Sequence, residues 1–289
     1  MLKKLFIINL FFVSLGWQSC SSATSQSSKS EVKSETPQLQ KDEVPKQQNV
    51  NFKGVSFNYN PQIFGEVKSE EIAERPLEDE TDKPDYVAPQ HILFTLKKPG
   101  TNRETVIYVF PIEDYRRMYP ISNEHNYREQ FDEQLKGLQK VIKDKNYRKG
   151  NQIPFIPFWN GSQTFQKKVN HFSFQNGKGI FFLTQFDIET TLVSNEGLTY
   201  CFQGISNDGK NYILAKFPVS VSFLPKDYDA DEFEGYKLSS AYSGNEPKQN
   251  TYEDYVLRIA KRLDNLKPNE FEPNLNQIEK LISSLKIEK

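Results

Sequence analysis

Beyond about residue 50, apolar positions mostly recur every second residue, and at three places the period lengthens to that of a helix. In FKGVSFNYN, Val55, Phe57 and Tyr59 alternate with polar neighbours, which predicts a half-buried strand ended by Asn60-Pro61. HILFTL and TVIYVF, joined by a turn region containing Pro99-Gly100, predict a hairpin. Two aromatic-rich pairs carry further turn chemistry. NHFSFQNGKGIFFLTQF holds Asn176-Gly177, and YCFQGISNDGKNYILAKF holds Asp208-Gly209; both dipeptides tolerate positive φ, so these strands are expected at the sheet centre.

The helical period begins at Asn126, where Tyr127, Phe131, Leu135, Leu138 and Ile142 share a face and Asn126 with Glu129 fits a capping box. It returns after Thr251, which with Asp254 can cap a helix using Tyr255, Ile259 and Leu263, and after Asn274, with Leu275, Ile278, Ile282 and Leu285. The acidic, Pro-containing run from Gly65 to Pro89 reads as a surface excursion. Strands paired by short turns, with helices added, define the class α+β: an antiparallel sheet with covering helices in a single globular domain, residues 50–289.

The first 49 residues follow different rules. Lys3 and Lys4 precede a largely apolar stretch from Leu5 to Leu15, shorter than the roughly 20 residues a helix needs to cross a bilayer. That is the pattern of a signal peptide, residues 1–19. Ser19-Cys20-Ser21 resembles the end of a bacterial lipoprotein lipobox, although Trp17 stands where such motifs usually carry Leu. The resemblance implies that Cys20 is acylated and becomes the mature N-terminus, anchored in membrane lipid because each buried chain methylene contributes about 0.8 kcal/mol. Ser21 beside it resembles the pattern sorted to the outer membrane where a cell has two. The alternative is an ordinary signal peptide cut near Ala23 with Cys20 unmodified. Residues 20–49, rich in Ser, Gln and Lys, have too little apolar surface to order and read as a flexible tether spanning about 30 Å.

Composition narrows the partners. Hydrophobic residues make up 36% of the chain, with 22 Phe and 14 Tyr, enough for a core despite polar flanks. The 37 Lys and Arg nearly balance 38 Asp and Glu, and loss of Lys3 and Lys4 with the leader takes the net charge from -1 to -3. No basic field points to nucleic acid. Once Cys20 is acylated, Cys201 in LTYCFQG is the one thiol left; its aromatic neighbours mark it as a buried apolar residue, and no disulfide framework exists.

Catalytic and metal motifs are not found. G-x-S-x-G, H-E-x-x-H, a phosphate loop and C-x-x-C are all missing, and no cofactor is expected. His91, His125 and His171 fall on separate elements without a second ligand at metal spacing. Asp227, Asp229 and Asp231 alternate as in a calcium loop, but Glu232 and Leu238 occupy the positions that need Gly and Glu, so an acidic solvated loop is the expected state.

IPFIPFWNGSQTF, from Ile153, is too rich in proline for a helix or a central strand. Its aromatics line either the protein's own core or a cleft, in which Phe158 and Trp159 form the wall and Gln185 and Gln203, glutamines within apolar strands, offer polar contacts. With the FQNGKGIFFLTQF and LTYCFQGISNDGKNYILAKFPVS pairs, this segment resembles an uncharacterised family of bacterial exported proteins and lipoproteins. The resemblance implies export and brings no activity with it, since the family has no established function. GVSFNYNP, from Gly54, also resembles the opening of PsbP-like αβα domains.

The expected function is therefore a lipid-anchored, non-catalytic extracytoplasmic protein that binds an unknown protein or small molecule at the cell envelope. The alternatives are an envelope hydrolase whose site assembles from dispersed residues and a structural spacer.

Overall fold

Strands whose residues are apolar on both faces must be covered on both sides, and that requirement organises this chain. The computed structural model describes residues 47–77, 87–119, 121, 126–144, 147, 152–156, 161–228, 230–243 and 249–288, all within one compact unit, Val44–Lys289. The residues read as signal peptide, Cys20 and most of those read as tether lie outside the described residues.

The described chain begins with β1 (Gln48–Phe52) and β2 (Val55–Tyr59), then the short helix α1 (Pro61–Phe64) and β3 (Glu66–Ile72). A hairpin of β4 (His91–Lys97) and β5 (Thr105–Pro111) leads into α2 (Ile112–Met118) and α3 (Tyr127–Lys143). Next come β6 (Ser162–Gln163), β7 (Lys167–Phe174), β8 (Gly177–Thr184), β9 (Phe186–Asp187), β10 (Thr199–Ser206) and β11 (Asn211–Pro218). The ribbon β12 (Glu232–Phe233) and β13 (Tyr236–Lys237) precedes α4 (Leu238–Tyr242), α5 (Tyr252–Asn265), α6 (Leu275–Ser283) and β14 (Lys286–Ile287).

The main sheet has seven antiparallel strands in the order β3-β4-β5-β11-β10-β8-β7. Its strands alternate between two cores. One face carries Phe94, Ile107, Phe181, Phe202 and Ile213, covered by Tyr255, Ile259 and Leu263 of α5, Ile278 and Ile282 of α6, and Phe57 of the small β1-β2-β14 sheet. The other carries Phe110, Phe182, Cys201, Tyr212 and Leu214, covered by Tyr115 of α2, Phe131 and Leu138 of α3, and the irregular run Ile153–Ile156. The class is α+β, with helices on both faces of the sheet, a layering of the αβα kind.

Several elements differ from the sequence reading for local reasons. β1 starts at Gln48, inside the stretch read as tether, because Gln48 and Asn49 pair with Tyr59 and Asn58. The excursion after Gly65 begins as a strand: Glu66–Ile72 pairs with β4 along the sheet edge, where charged side chains are tolerated and discourage pairing with other chains. Gly65 makes that entry possible. At φ +76 it turns out of α1, and a Cβ there would sit 2.0 Å from the Lys97 carbonyl oxygen. Asn126 does not cap α3 with its side chain, since its own backbone is left-handed (φ 49, ψ 32) rather than extended. The β7–β8 turn is Gln175-Asn176, one position ahead of the Asn-Gly dipeptide and without positive φ, and the Asn176 amide instead bonds both backbone groups of Ile287 in β14. The second hairpin does use Gly209 at φ +74, and the Thr251–Asp254 capping box forms as expected.

His91 opens β4 under the Phe110 ring, centroids 4.6 Å apart, and its Nδ1–H donates to the Pro89 carbonyl at 2.7 Å. Burial holds its pKa below the ordinary histidine value. A depressed histidine pKa means that the unfolded chain takes up the proton first as pH falls. Its contribution to stability is complete above about pH 6.5 and is lost on acidification through the lower folded value. Urea denaturation at about pH 7.5 and about pH 5 is expected to show a loss of stability in the wild type that is smaller in His91→Gln.

Candidate functional site

The β4–β5 turn, the end of α1 and the loops that flank β10 and β11 meet at one end of the main sheet. They enclose an open cleft of about 880 Å³. Its apolar floor is Ile63 and Phe64 of α1 with Leu96 of β4. Above this floor stand three cations, Lys98, Arg103 and Lys226, and three carboxylates, Glu196, Asp227 and Glu272.

Arg103 builds the walls. Its guanidinium donates to the backbone carbonyls of Leu198 at 2.6 Å, Val219 at 3.1 Å and Asn195, so one side chain from the β4–β5 turn holds the chain entering β10 and the chain leaving β11. Burial lowers its pKa from the usual arginine value while Tyr228 and Glu196 oppose the shift. Asn195 adds a second tie: its Nδ2–H groups donate to Val221 and Leu224 carbonyls at 3.0 and 3.1 Å, and its Oδ1 accepts from the Val221 N–H at 2.8 Å. Ser220 and Glu272 exchange backbone hydrogen bonds at 2.8 and 3.0 Å, which brings the Glu272 carboxylate to the rim. The walls are thus fixed by bonds internal to the protein, and the lining combines charged groups of both signs with neutral polar and apolar side chains.

The two glutamines singled out in the sequence are fully buried and do not line this cleft. Gln203 donates to the Pro154 carbonyl at 2.9 Å and accepts from Tyr212 Oη at 2.8 Å and from the Ile156 N–H at 3.4 Å. It staples the proline-aromatic run to the sheet; of that run Ile153, Phe155 and Ile156 are buried in the second core and Phe165 in the first. Gln185 Nε2 lies within 3.0 to 3.2 Å of the Asp187 carboxylate, Thr191 Oγ1 and the Leu192 carbonyl, and its Oε1 accepts from the Ser194 N–H at 3.1 Å. Gln185 therefore shapes the loop between β9 and β10, one wall of the cleft. Gly197 in that loop is obligatory by space, because a Cβ would fall 2.4 Å from Tyr228 Oη and 2.5 Å from Gln185. Both glutamines thus have their polar groups bonded within the protein. Phe158 and Trp159, like Cys20, lie outside the described residues.

The remaining sequence candidates are dispersed. His171 on β7 donates through Nε2 to the Val141 carbonyl at 2.8 Å, far in the fold from His91, and His125 is outside the described residues. Asp227 lines the cleft, the Asp231 carbonyl accepts from Leu238, and Asp229 is outside the described residues. Among the described residues, no three His, Cys, Asp or Glu side chains are grouped to hold a metal ion. Cys201 is fully buried, with its thiol pushed up to about 12 by burial. Opposite it on β11, Lys216 places Nζ 5.7 Å from the ring centroids of both Phe155 and Phe186, and burial lowers its pKa.

Sequence reasoning missed Arg103, Asn195 and Glu272. Each sits in a stretch of turn-forming composition, where a charged or amide side chain is ordinarily solvated, and only the pairing of distant strands reveals what it holds. No protein-family model and no curated protein matches this chain. No helix among the described residues is long and apolar enough to cross a membrane.

Arg103→Met keeps the aliphatic stem and removes the donors to three carbonyls. It is expected to lower stability by about 2–4 kcal/mol in urea denaturation. Hydrogen exchange should quicken at residues 195–198 and 219–221 first, with the central strands still protected.

Proposed function

We propose that this chain is a lipid-anchored extracytoplasmic binding protein, held to the membrane through acylated Cys20 and carrying its folded body on the tether of residues 20–49. The observation that carries the binding reading is the cleft: concave, with an apolar floor of Ile63, Phe64 and Leu96, a rim of both charge signs, and walls already fixed by Arg103 and Asn195. A site whose walls are ordered before binding loses little entropy on capture. The rim suits a small ligand with separate positive and negative groups, each meeting an opposite charge while its apolar part covers the floor. Support for the anchor comes from the leader, from Ser19-Cys20-Ser21 and from the tether composition. Outer-membrane attachment follows from Ser21 where the cell has two membranes.

A second reading, an envelope hydrolase, draws on one observation, the presence of Glu196, Asp227 and Glu272 in a single cleft, since paired carboxylates can serve as acid and base. It requires turnover that falls by about 100-fold or more in Glu272→Gln or Glu196→Gln.

Mass spectrometry of the full-length chain extracted from membranes tests the anchor. The expected product starts at Cys20 with added acyl mass, and Cys20→Ala is expected to lose both the acyl mass and membrane retention. An unmodified chain cut near Ala23 would end the anchor reading. Native spectra of the same preparation test the cleft: a co-purifying small species is expected, and it should be depleted in the Lys98→Ser/Lys226→Ser double variant.

A further inference from the structure

A second groove, of about 520 Å³, lies between α5 and the β6–β9 ribbon. Four large hydrophobic residues among the described ones are mostly exposed, and three gather here. Ile188, 77% exposed, and Leu257, 57% exposed, line the groove from opposite sides; Tyr242, 61% exposed, reaches it by donating its hydroxyl to the Thr190 carbonyl at 2.5 Å. Isolated apolar residues at a surface need no explanation, but two that line one concavity, with a third bonded to its edge, form a patch of the kind that covers a partner.

The rim has a single charge sign. Asp187, Glu189 and Glu253 line the groove, and among the described residues no lysine or arginine does. Asp187 is committed internally, accepting from Thr164 and Thr191 hydroxyls at 2.5 and 2.8 Å and from Gln185. Glu189 and Glu253 are exposed, and neither forms an ion pair with a described residue. The groove is also held in shape: the Tyr252 hydroxyl donates to the Thr191 carbonyl at 2.9 Å, the Val193 N–H donates to Tyr255 Oη at 3.0 Å, and the capping box fixes the first turn of α5.

From this complementarity we propose that the α5–β9 groove docks a cationic, partly apolar polypeptide segment of a partner protein. An apolar side chain of the segment packs between Ile188 and Leu257, while flanking lysine or arginine side chains meet Glu189 and Glu253. The carboxylate rim repels an anionic lipid surface, so the patch is directed at a protein and not at the bilayer. This surface is separate from the charged cleft and does not depend on the tether.

The test uses the full chain and a short fluorescent peptide that alternates leucine and lysine, with a leucine–glutamate counterpart, followed by fluorescence anisotropy at two salt concentrations. Saturable binding of the lysine peptide is expected, weakened by added salt. Ile188→Ser/Leu257→Ser should weaken it by about 10-fold or more. Glu189→Gln/Glu253→Gln should weaken it by roughly 3-fold to 10-fold and flatten its salt dependence. All four positions are exposed, so the variants are expected to keep wild-type urea midpoints. Equal binding of the glutamate peptide, binding unchanged in both double variants, or no binding of the lysine peptide would each overturn the proposal. So would sedimentation showing a dimer that Ile188→Ser/Leu257→Ser abolishes, since a second copy would then be the occupant.

Discussion

The strands at the middle of the main sheet have no polar face. In β8, Ile180 and Phe182 point to one core while Phe181 and Leu183 point to the other, and in β10, Cys201 opposes Tyr200 and Phe202 in the same way. At about 1.5–3 kcal/mol for each large side chain buried, leaving either face in water would cost more than the net stability of a domain. Both faces must be covered, and the rest of the architecture follows. Helices α2 and α3 and the run Ile153–Ile156 close one side; α5, α6 and the β1-β2-β14 sheet close the other. The C-terminal elements are therefore as integral to the core as the strands that precede them.

Covering two faces with irregular segments brings backbone carbonyls and N–H groups into the interior without sheet or helix partners, and each needs a bond. The chain meets this with a few multidentate side chains. Gln203 takes up the backbone at Pro154 and Ile156, Gln185 takes up Leu192 and Ser194, Asn195 takes up Val221 and Leu224, and Arg103 takes up Asn195, Leu198 and Val219. Gln203, Asn195 and Arg103 join segments distant in sequence, while Gln185 closes the loop that follows it. The walls of the charged cleft are a by-product of that satisfaction: the bonds that make the loops tolerable to the core also hold them open at the sheet end.

This division explains what the sequence could disclose. Period-2 aromatic strands and the helices at Asn126, Thr251 and Asn274 were legible because burial repeats with the period of the element. The capping box at Thr251 was legible for the same local reason, whereas Asn126 was misread because its backbone is left-handed, and the Asn176 turn because a long-range contact redirected it: Asn176 serves β14, 111 residues away. Gln185 and Gln203 stood out correctly as polar groups in apolar strands that demand partners, but sequence could not say whether the partner was a ligand or the chain's own backbone. Arg103 and Glu272 gave no signal, since a charge in a turn looks the same whether it is solvated or clamps three carbonyls. Ile188 and Leu257 were equally silent, because an apolar residue announces burial until the fold shows it exposed.

The loop between β9 and β10 ties the two concave surfaces together. Its first residues, Ile188 to Thr190, wall the acidic groove, and Asn195 and Glu196 wall the charged cleft. Between them the loop is held by Gln185 to Asp187, Thr191, Leu192 and Ser194, by Tyr252 to Thr191, and by Tyr255 to Val193. Moving either end means breaking bonds to a buried amide and two largely buried phenols, and an unpaired buried polar group costs about 1–3 kcal/mol. A segment so constrained behaves as a rigid partition instead of an adaptable flap. The backbone that carries both surfaces is therefore held by the same bonds, and under the proposed binding reading discrimination between ligands would rest on charge and shape already in place.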